Sequence, residues 1–292
     1  MKVFCVGIVV LDRVYHLAQL PSGGGKHLAQ AYRETGGGMA ATAALAVARL
    51  GGTASWCGPI GDDATGRQLR AELAAGGVDV GPAEILAGVR TPISVVLVQG
   101  DGERCLILDR DPGLHLTAPV VPPRARVVLA DPRFAEAALS ALEQARARGL
   151  HSVLDGEVAA PAALPSLTGA ATHPVFSRAG LRELTGEADP AAGLRRLERD
   201  GAGVTLGPEG SQFLVGGRVV AIPAPRVRAQ DTTGCGDVFH GAFALGLAEG
   251  MDVLRAARFA TAAASLKGVR GQGWAGIPDR TAVEGCLARD WC

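Results

Sequence analysis

The chain has 292 residues, of which 48% are apolar and 20% charged, so it can bury a large core and does not belong to the disordered class. Its 29 basic and 29 acidic side chains give a formal net charge of zero, and only 4% of its residues are aromatic. Nucleic acids and anionic membranes are therefore not expected partners. The six cysteines lack metal-binding spacing, and the first apolar run, residues 3–11, is too short to span a membrane. We expect a soluble cytoplasmic protein with reduced thiols.

Short β-branched runs alternate with Ala- and Leu-rich stretches along most of the chain. The predicted strands are residues 3–10, 53–57, 127–130, 152–154, 172–176 and 204–206. The predicted helices are residues 39–50 and 64–75, each followed by a glycine pair, and residues 134–147. This alternation predicts an α/β fold with a doubly wound, parallel central sheet flanked by helices.

Two regions, residues 13–34 and 91–109, lack a helical period. In the second, residues 94–99 and 104–108 flank Gly100, Asp101 and Gly102, which are typical of a tight turn. We expect a small antiparallel sheet that projects from the main one as a lid. The lid would comprise about residues 12–35 and 90–110, inserted in a single domain of residues 1–292.

The most informative stretch is DTTGCGD, residues 231–237, followed by VFHGAF. Its glycines let backbone N–H groups face one point, and the start of the next helix adds a partial positive charge. Asp237 would lie in the first turn of that helix and could accept a proton from an attacking hydroxyl. The N–H groups of Gly234, Cys235 and Gly236 would hold the developing negative charge, as phosphoryl transfer requires. An ordinary capped helix explains this pattern alone equally well.

A second glycine-rich stretch, Gly36, Gly37 and Gly38, leads into the helix that ends in ARLG, residues 48–51. Three glycines would let a substrate approach the backbone closely. Taken alone, a flexible exit from a hairpin is the more common explanation.

Together these motifs resemble the two signatures of the PfkB/ribokinase carbohydrate kinases, with Cys235 where alanine is usual. The early Asp12, the stretch VTLG at residues 204–207 and the following Gly210 have the order seen in that family. The resemblance covers essentially the whole chain. It implies a ribokinase-like fold and a transferase that moves the γ-phosphoryl group of ATP to a sugar hydroxyl. ATP and Mg²⁺ are the implied cofactors, with a monovalent cation as a further option.

The resemblance also assigns roles to residues. Asp237 would be the base, with Gly234, Cys235 and Gly236 as the anion hole. The sugar would contact Asp12, Gly36, Gly37, Gly38 and Thr42, the last at a position where the family usually has asparagine. The nucleotide side would include Ser177, Thr205, Gly207, Gly210, Ala263, Lys267 and Gly273.

One departure concerns magnesium. The family's N-x-x-E stretch is replaced here by residues 177–180, which read SRAG, so its glutamate is missing. We expect Mg²⁺ to be held through ATP phosphates and water, with Asp231 or Glu183 helping indirectly.

Within the family, several segments resemble the 6-deoxy-6-sulfofructose kinases, among them residues 36–44, 128–131, 153–156, 236–241 and 275–279. Lys26 and Arg133 would supply the cations that a sulfonate or phosphate on the sugar needs. Leu108 stands where a polar amide is expected in that branch, so an ordinary ketose or another acidic sugar stays open. The alternatives are a fructose, 2-keto-3-deoxygluconate or nucleoside kinase, or a non-catalytic sugar- or nucleotide-binding protein.

Three further expectations concern His240, Cys235 and the apolar residues of the lid. His240 is interpreted as a packing or hydrogen-bonding residue. Cys235 is either a small space-filling residue or a thiol activated by the helix start. Apolar lid residues such as Val95, Leu97 and Ile107 favour a homodimer formed through the lid strands.

Overall fold

Strands and helices alternate throughout the computed structural model, which describes residues 2–100 and 103–289. The strands are β1 (Lys2–Val6), β2 (Val10–Leu17), β3 (Ala31–Gly37), β4 (Thr53–Cys57), β5 (Pro59–Gly61), β6 (Val78–Asp79), β7 (Glu84–Leu86), β8 (Ile93–Gln99), β9 (Arg104–Asp109), β10 (Ala125–Ala130), β11 (His151–Gly156), β12 (His173–Ser177), β13 (Gly203–Thr205), β14 (Ser211–Val215) and β15 (Arg218–Ile222). The helices are α1 (Met39–Arg49), α2 (Ala64–Ala75), α3 (Ala135–Ala147), α4 (Leu164–Ala170), α5 (Arg178–Thr185), α6 (Pro190–Leu197), α7 (Cys235–Ala248), α8 (Val253–Arg270) and α9 (Arg280–Ala288). Within these ranges no helix is both long and apolar enough to cross a membrane.

The main sheet has the strand order β15-β14-β13-β12-β11-β10-β1-β4-β6. Neighbouring strands from β13 to β6 are parallel, whereas β14 and β15 form an antiparallel hairpin at one edge. The chain runs outward from β1 in one direction and then returns to run outward from β10 in the other. Such a reversal opens a crevice at the carboxyl ends of the strands, where ligands bind in this class of sheet. The predicted doubly wound sheet is confirmed.

The small sheet has the order β3-β2-β8-β9 and brings together the two regions without a helical period. Strands β2 and β8 pair in parallel, and the outer pairs are antiparallel. The predicted strand 3–10 proved to be two elements, because β1 ends at Val6 and the chain bends at Gly7 before entering β2. Gly7 has φ of 147°, and the space beside it is filled by a carboxylate of the site described below. Asp101 and Gly102 of the predicted turn lie outside the described residues.

Two apolar layers cover the main sheet. One contains side chains of α1, α7 and α8, and the other contains those of α3, α4, α5 and α6. The α1 and α7 helices cross closely: a Cβ atom at Gly241 would lie 2.4 Å from the backbone oxygen of Ala43. This close crossing places the start of α7 beside the start of α1.

Replacing Gly241 with alanine tests the crossing. Because the added methyl group meets backbone, we expect Gly241→Ala to lower the free energy of unfolding by about 1–3 kcal/mol, despite alanine's better helix propensity. The control is Gly285→Ala in α9, where a Cβ atom meets nothing within 4 Å. We expect the control to be neutral or stabilising by up to about 1 kcal/mol. Denaturant titration measures both, and equal changes in the two variants would contradict the packing described.

Candidate active site

The first turn of α7 begins with Gly234 in the left-handed conformation, with φ of 76°. The N–H group of Cys235 donates to the Thr232 carbonyl oxygen at 3.2 Å, so it closes the preceding turn. The N–H groups of Gly236 and Asp237 belong to the first turn of the helix, where no intrahelical acceptor exists. The Cys235 N–H that the sequence assigned to an anion hole is therefore already used, which leaves the N–H groups of Gly234 and Gly236 as the candidates.

Asp237 is half-buried in this turn. Burial raises the pKa of its carboxyl group to about 7, and repulsion from the neighbouring carboxylate of Asp155 adds to the shift. Asp131 and Asp12 act in the same direction, and His240 opposes them. A base with a pKa near neutrality can accept a proton at physiological pH and still bind it strongly enough to help the reaction.

His240 lies one helical turn after Asp237 and is almost fully buried. Its Nδ1 atom is 2.7 Å from the Gly236 carbonyl oxygen and 3.5 Å from Oδ2 of Asp155, and its Nε2 atom is 3.0 Å from the Val175 carbonyl oxygen. Since both nitrogens face acceptors, the ring fixes the α7 turn to β11 and β12. His240 therefore makes hydrogen bonds, as the sequence indicated, but it makes them inside the site.

Asp131, at the end of β10, joins three backbone segments. Its carboxylate accepts hydrogen bonds from the N–H groups of Ile8 at 2.8 Å, Arg133 at 2.9 Å and Ala40 at 3.2 Å. It therefore ties the bend after β1 to the start of α1 at the reversal of strand order. Burial raises the pKa of Asp131, and burial also raises that of Asp155 well above the usual range. Neither residue could be identified from local pattern, since Asp131 simply follows an apolar strand and Asp155 lies near the end of one.

The predicted sugar-binding residues lie around the start of α1. Asp12 is buried within β2, and a Cβ atom at Gly37 would lie 2.2 Å from its Oδ2 atom, so only glycine fits there. Gly36 packs on the ring of Trp274, whose Nε1 donates to Thr42 Oγ1 at 2.8 Å. Burial raises the pKa of Asp12 to about 6. Trp274 was not identified from the sequence, because its contacts join segments more than 200 residues apart.

The two predicted cations belong to different elements and differ in exposure. Lys26 is in the exposed loop between β2 and β3. Arg133 is half-buried beside Asp131, and its Nε has no hydrogen-bond partner among the described residues. Arg110 lies near it, with its guanidinium carbon 4.6 Å from the centre of the Phe134 ring.

A cleft of about 910 Å³ opens beside the first turn of α7. Its walls include the predicted nucleotide residues Thr205, Gly207 and Gly210, together with Thr232, Cys235, Gly236, Ala264, Ser265 and Gly268. The structure does not bring the other predicted nucleotide residues to these walls. Ala263 is in the core, Gly273 packs against Thr35, and Ser177 caps α5 by accepting the Gly180 N–H at 3.0 Å. Lys267 points beneath the α7 turn.

The described residues contain no ready-made cluster of magnesium ligands. Among the described residues no group of three or more His, Cys, Asp or Glu side chains could hold a metal ion. A Cβ atom at Gly180 would lie 1.8 Å from the Gly156 oxygen, so no glutamate fits where the resembled family has one. Glu183 is exposed, and the Asp231 carboxylate is bonded to Arg33 and to the Thr233 N–H.

Two lid arginines contact the segment that leads into α7. Arg33 on β3 binds Oδ2 of Asp231 at 2.6 Å, and Arg104 on β9 donates to Thr233 Oγ1 at 3.1 Å. The lid sheet is thus connected to the anion turn. Burial raises the pKa of the adjacent Cys235 thiol to about 11, so this cysteine is a space-filling residue and not an activated thiol.

Comparison with known proteins identifies the family. The model of the pfkB family carbohydrate kinases matches residues 1–274. The chain belongs to this family. It is 31% identical to Fructokinase-1 of Oryza sativa subsp. japonica over 76% of this chain and 77% of that protein. It is 29% identical to a ribokinase of Bacillus subtilis over 99% of this chain and 100% of that protein.

Solved structures agree with this assignment. A crystal structure from Agrobacterium tumefaciens, named "a putative ribokinase", superimposes on the kinase with a TM-score of 0.93 and 36% identity, over 99% of this chain and 97% of that one. The predicted phosphotransferase class and the ribokinase-like fold are confirmed. The finer resemblance to 6-deoxy-6-sulfofructose kinases finds no support, since these relatives are named as fructokinase and ribokinase.

The neighbourhood of Asp237 generates a prediction about pH. Activity should fall as the pH drops through the pKa of Asp237, because a protonated carboxyl group cannot accept the hydroxyl proton. Asp155→Asn removes the repulsion that raises this pKa, so we expect the acid limb of kcat/KM to move to lower pH by about one unit. The control is Asp62→Asn, an exposed carboxylate, which should leave the limb unchanged. An unmoved limb in Asp155→Asn would contradict the electrostatic coupling.

Proposed function

We propose that this kinase transfers the γ-phosphoryl group of ATP to a primary hydroxyl of a ketose-type sugar in its furanose form. The observation that supports this proposal most strongly is the position of the half-buried Asp237 carboxyl group in a helix turn that borders the large cleft. The pKa of this group is about 7. A base next to free backbone N–H groups is the combination that phosphoryl transfer to an alcohol requires.

The proposed reaction uses one carboxylate and two backbone N–H groups of the turn. Asp237 takes the proton from the sugar hydroxyl as the hydroxyl oxygen bonds to the γ-phosphorus and the bond to the β-bridging oxygen breaks. The N–H groups of Gly234 and Gly236 donate to the transferred group, which carries negative charge throughout. Mg²⁺, when bound to the ATP oxygens, neutralises part of that charge.

The sugar site is built for hydroxyl groups. The buried Asp12 carboxylate can accept hydrogen bonds from two hydroxyls, and Gly36, Gly37 and Gly38 let the ring approach the backbone. The names of the relatives, fructokinase and ribokinase, support a furanose-forming sugar. Arg133, with its unpartnered Nε, is the residue that would favour an acidic sugar such as 6-deoxy-6-sulfofructose.

A substrate panel tests this proposal. ADP release is measured with fructose, ribose, 6-deoxy-6-sulfofructose, 2-keto-3-deoxygluconate and a nucleoside, each in wild type and in Arg133→Met. We expect turnover of a ketose, and a loss in Arg133→Met restricted to an acidic sugar would assign the sulfonated one. The absence of turnover on every ketose would overturn the proposal.

The role of Asp237 has its own test. Because the proton has no other acceptor in the turn, we expect Asp237→Asn to lower kcat by at least ~10²-fold. ATP binding, measured by calorimetry, should be retained, since the cleft walls are unchanged. An undiminished kcat would remove Asp237 from this role.

We also propose a homodimer formed through the lid. Strand β9 is an edge strand, and its Leu106, Ile107 and Leu108 side chains are 52%, 56% and 59% exposed. A second lid would cover this apolar edge. We expect light scattering at micromolar concentration to show a dimer for wild type and a monomer for Ile107→Glu. Val120→Glu, at an exposed site outside the lid, is the control, and a monomeric wild type would contradict the proposal.

A further inference from the structure

Lys267 is a buried cation that the reaction described above does not use. It lies in the last turn of α8, is only 1% exposed, and donates from Nζ to the backbone carbonyl oxygen of Thr233 at 2.9 Å. The next residue, Gly268, accepts the N–H groups of Gln230 and Asp231 through its carbonyl oxygen. The end of α8 therefore supports the whole segment that leads into the α7 turn.

The contact with Thr233 determines where an anion-hole donor points. In a planar trans peptide the C=O and N–H bonds point in opposite directions. The Thr233 carbonyl points towards Lys267, so the N–H of Gly234, in the same peptide unit, points away from it. A Cβ atom at Gly234 would lie 3.7 Å from Cγ2 of Thr42 and 3.9 Å from Oδ2 of Asp237, so this residue lies beside the proposed base.

The charges around Lys267 suit a fixed ammonium group. The carboxylates of Asp231 and Asp237 attract the ammonium group, and the positive charge of Arg33 repels it. The Cys235 thiol is adjacent. Burial lowers the pKa of Lys267 because the charged form loses water. A buried ammonium persists only where hydrogen bonds and opposite charges compensate it, and the Thr233 carbonyl and the two carboxylates do so here.

We propose that Lys267 is a positioning residue and the built-in cation of the anion turn: its ammonium group holds the Thr233–Gly234 peptide so that the Gly234 N–H faces the transferred phosphoryl group. This inference rests on the proposed phosphoryl transfer. It replaces the nucleotide-pocket role expected for Lys267.

The same contacts bear on the optional monovalent cation. Behind the turn, the Thr233 carbonyl and the Asp231 carboxylate are two groups whose oxygen atoms could bind such an ion. Lys267 occupies the first, and Arg33 and the Thr233 N–H occupy the second. A potassium ion does not fit at this place, and we infer that the enzyme works without one.

The first test replaces Lys267 with methionine, which keeps the length of the side chain but not its charge. We expect kcat to fall by ~10- to 10²-fold, since misorienting one anion-hole donor costs this order of magnitude. KM for ATP and for the sugar should change by less than about threefold, because the contact acts on the transition state. Arg270→Met, an exposed cation in the same turn of α8, is the control and should keep wild-type kcat.

The pH profile separates this role from simple packing. Wild-type kcat should fall at alkaline pH as Lys267 loses its proton, and the residual rate of Lys267→Met should lack that limb. Four groups face Lys267. At alkaline pH Asp231 and Asp237 are already ionised, the Cys235 thiol has a pKa of about 11, and Arg33 is the facing cation. Thermal unfolding at each pH checks that the protein stays folded.

Three results would overturn the inference: an unchanged kcat in Lys267→Met, an alkaline limb that persists in that variant, or wild-type activation by potassium over sodium or tetramethylammonium. If Lys267→Met does not fold, the wild-type cation series still decides. Loss of activity in Asp237→Asn beside full activity in Lys267→Met would reject this inference and leave the proposed function intact.

Discussion

In the proposed mechanism the first turn of α7 carries a proton acceptor and a set of anion donors within four residues, and the rest of the site depends on this constraint. A carboxylate beside a phosphoryl group is repelled by it, so Asp237 is useful only if its proton affinity is raised. Burial and the neighbouring Asp155 raise the pKa of Asp237. His240 and Lys267 offset part of the electrostatic repulsion among the clustered carboxylates. The helix start contributes its partial positive charge to the same point.

Distant parts of the chain meet at this turn because of the sheet topology. The reversal of strand order between β1 and β10 creates the crevice, and Asp131 locks three segments around it with backbone hydrogen bonds. From the opposite side, Arg33 and Arg104 connect the lid strands to the segment before α7. A change in lid position would therefore alter the hydrogen bonds of the segment that leads into the anion turn.

Much of the fold could be predicted from local pattern. The strand 53–57 and the helix 64–75 have their predicted bounds, because apolar periodicity and glycine stops are local signals. The same kind of local signal placed the proposed base, Asp237, and the glycines before it at the start of a helix. The positions of Trp274, Asp155 and Lys267 could not be predicted in this way, since each depends on a contact between segments far apart in sequence. Lys267 shows this most clearly: a lysine near a helix end usually faces solvent, and only the crossing of α7 and α8 shows that this one is buried.

A crystal structure with the sugar and a non-hydrolysable ATP analogue tests the central claim most directly. The account predicts the acceptor hydroxyl within hydrogen-bond reach of the Asp237 carboxyl group, about 2.6–3.2 Å, and the terminal phosphate on the N–H groups of Gly234 and Gly236. A hydroxyl bound to another base, or a terminal phosphate bound away from this turn, would contradict it.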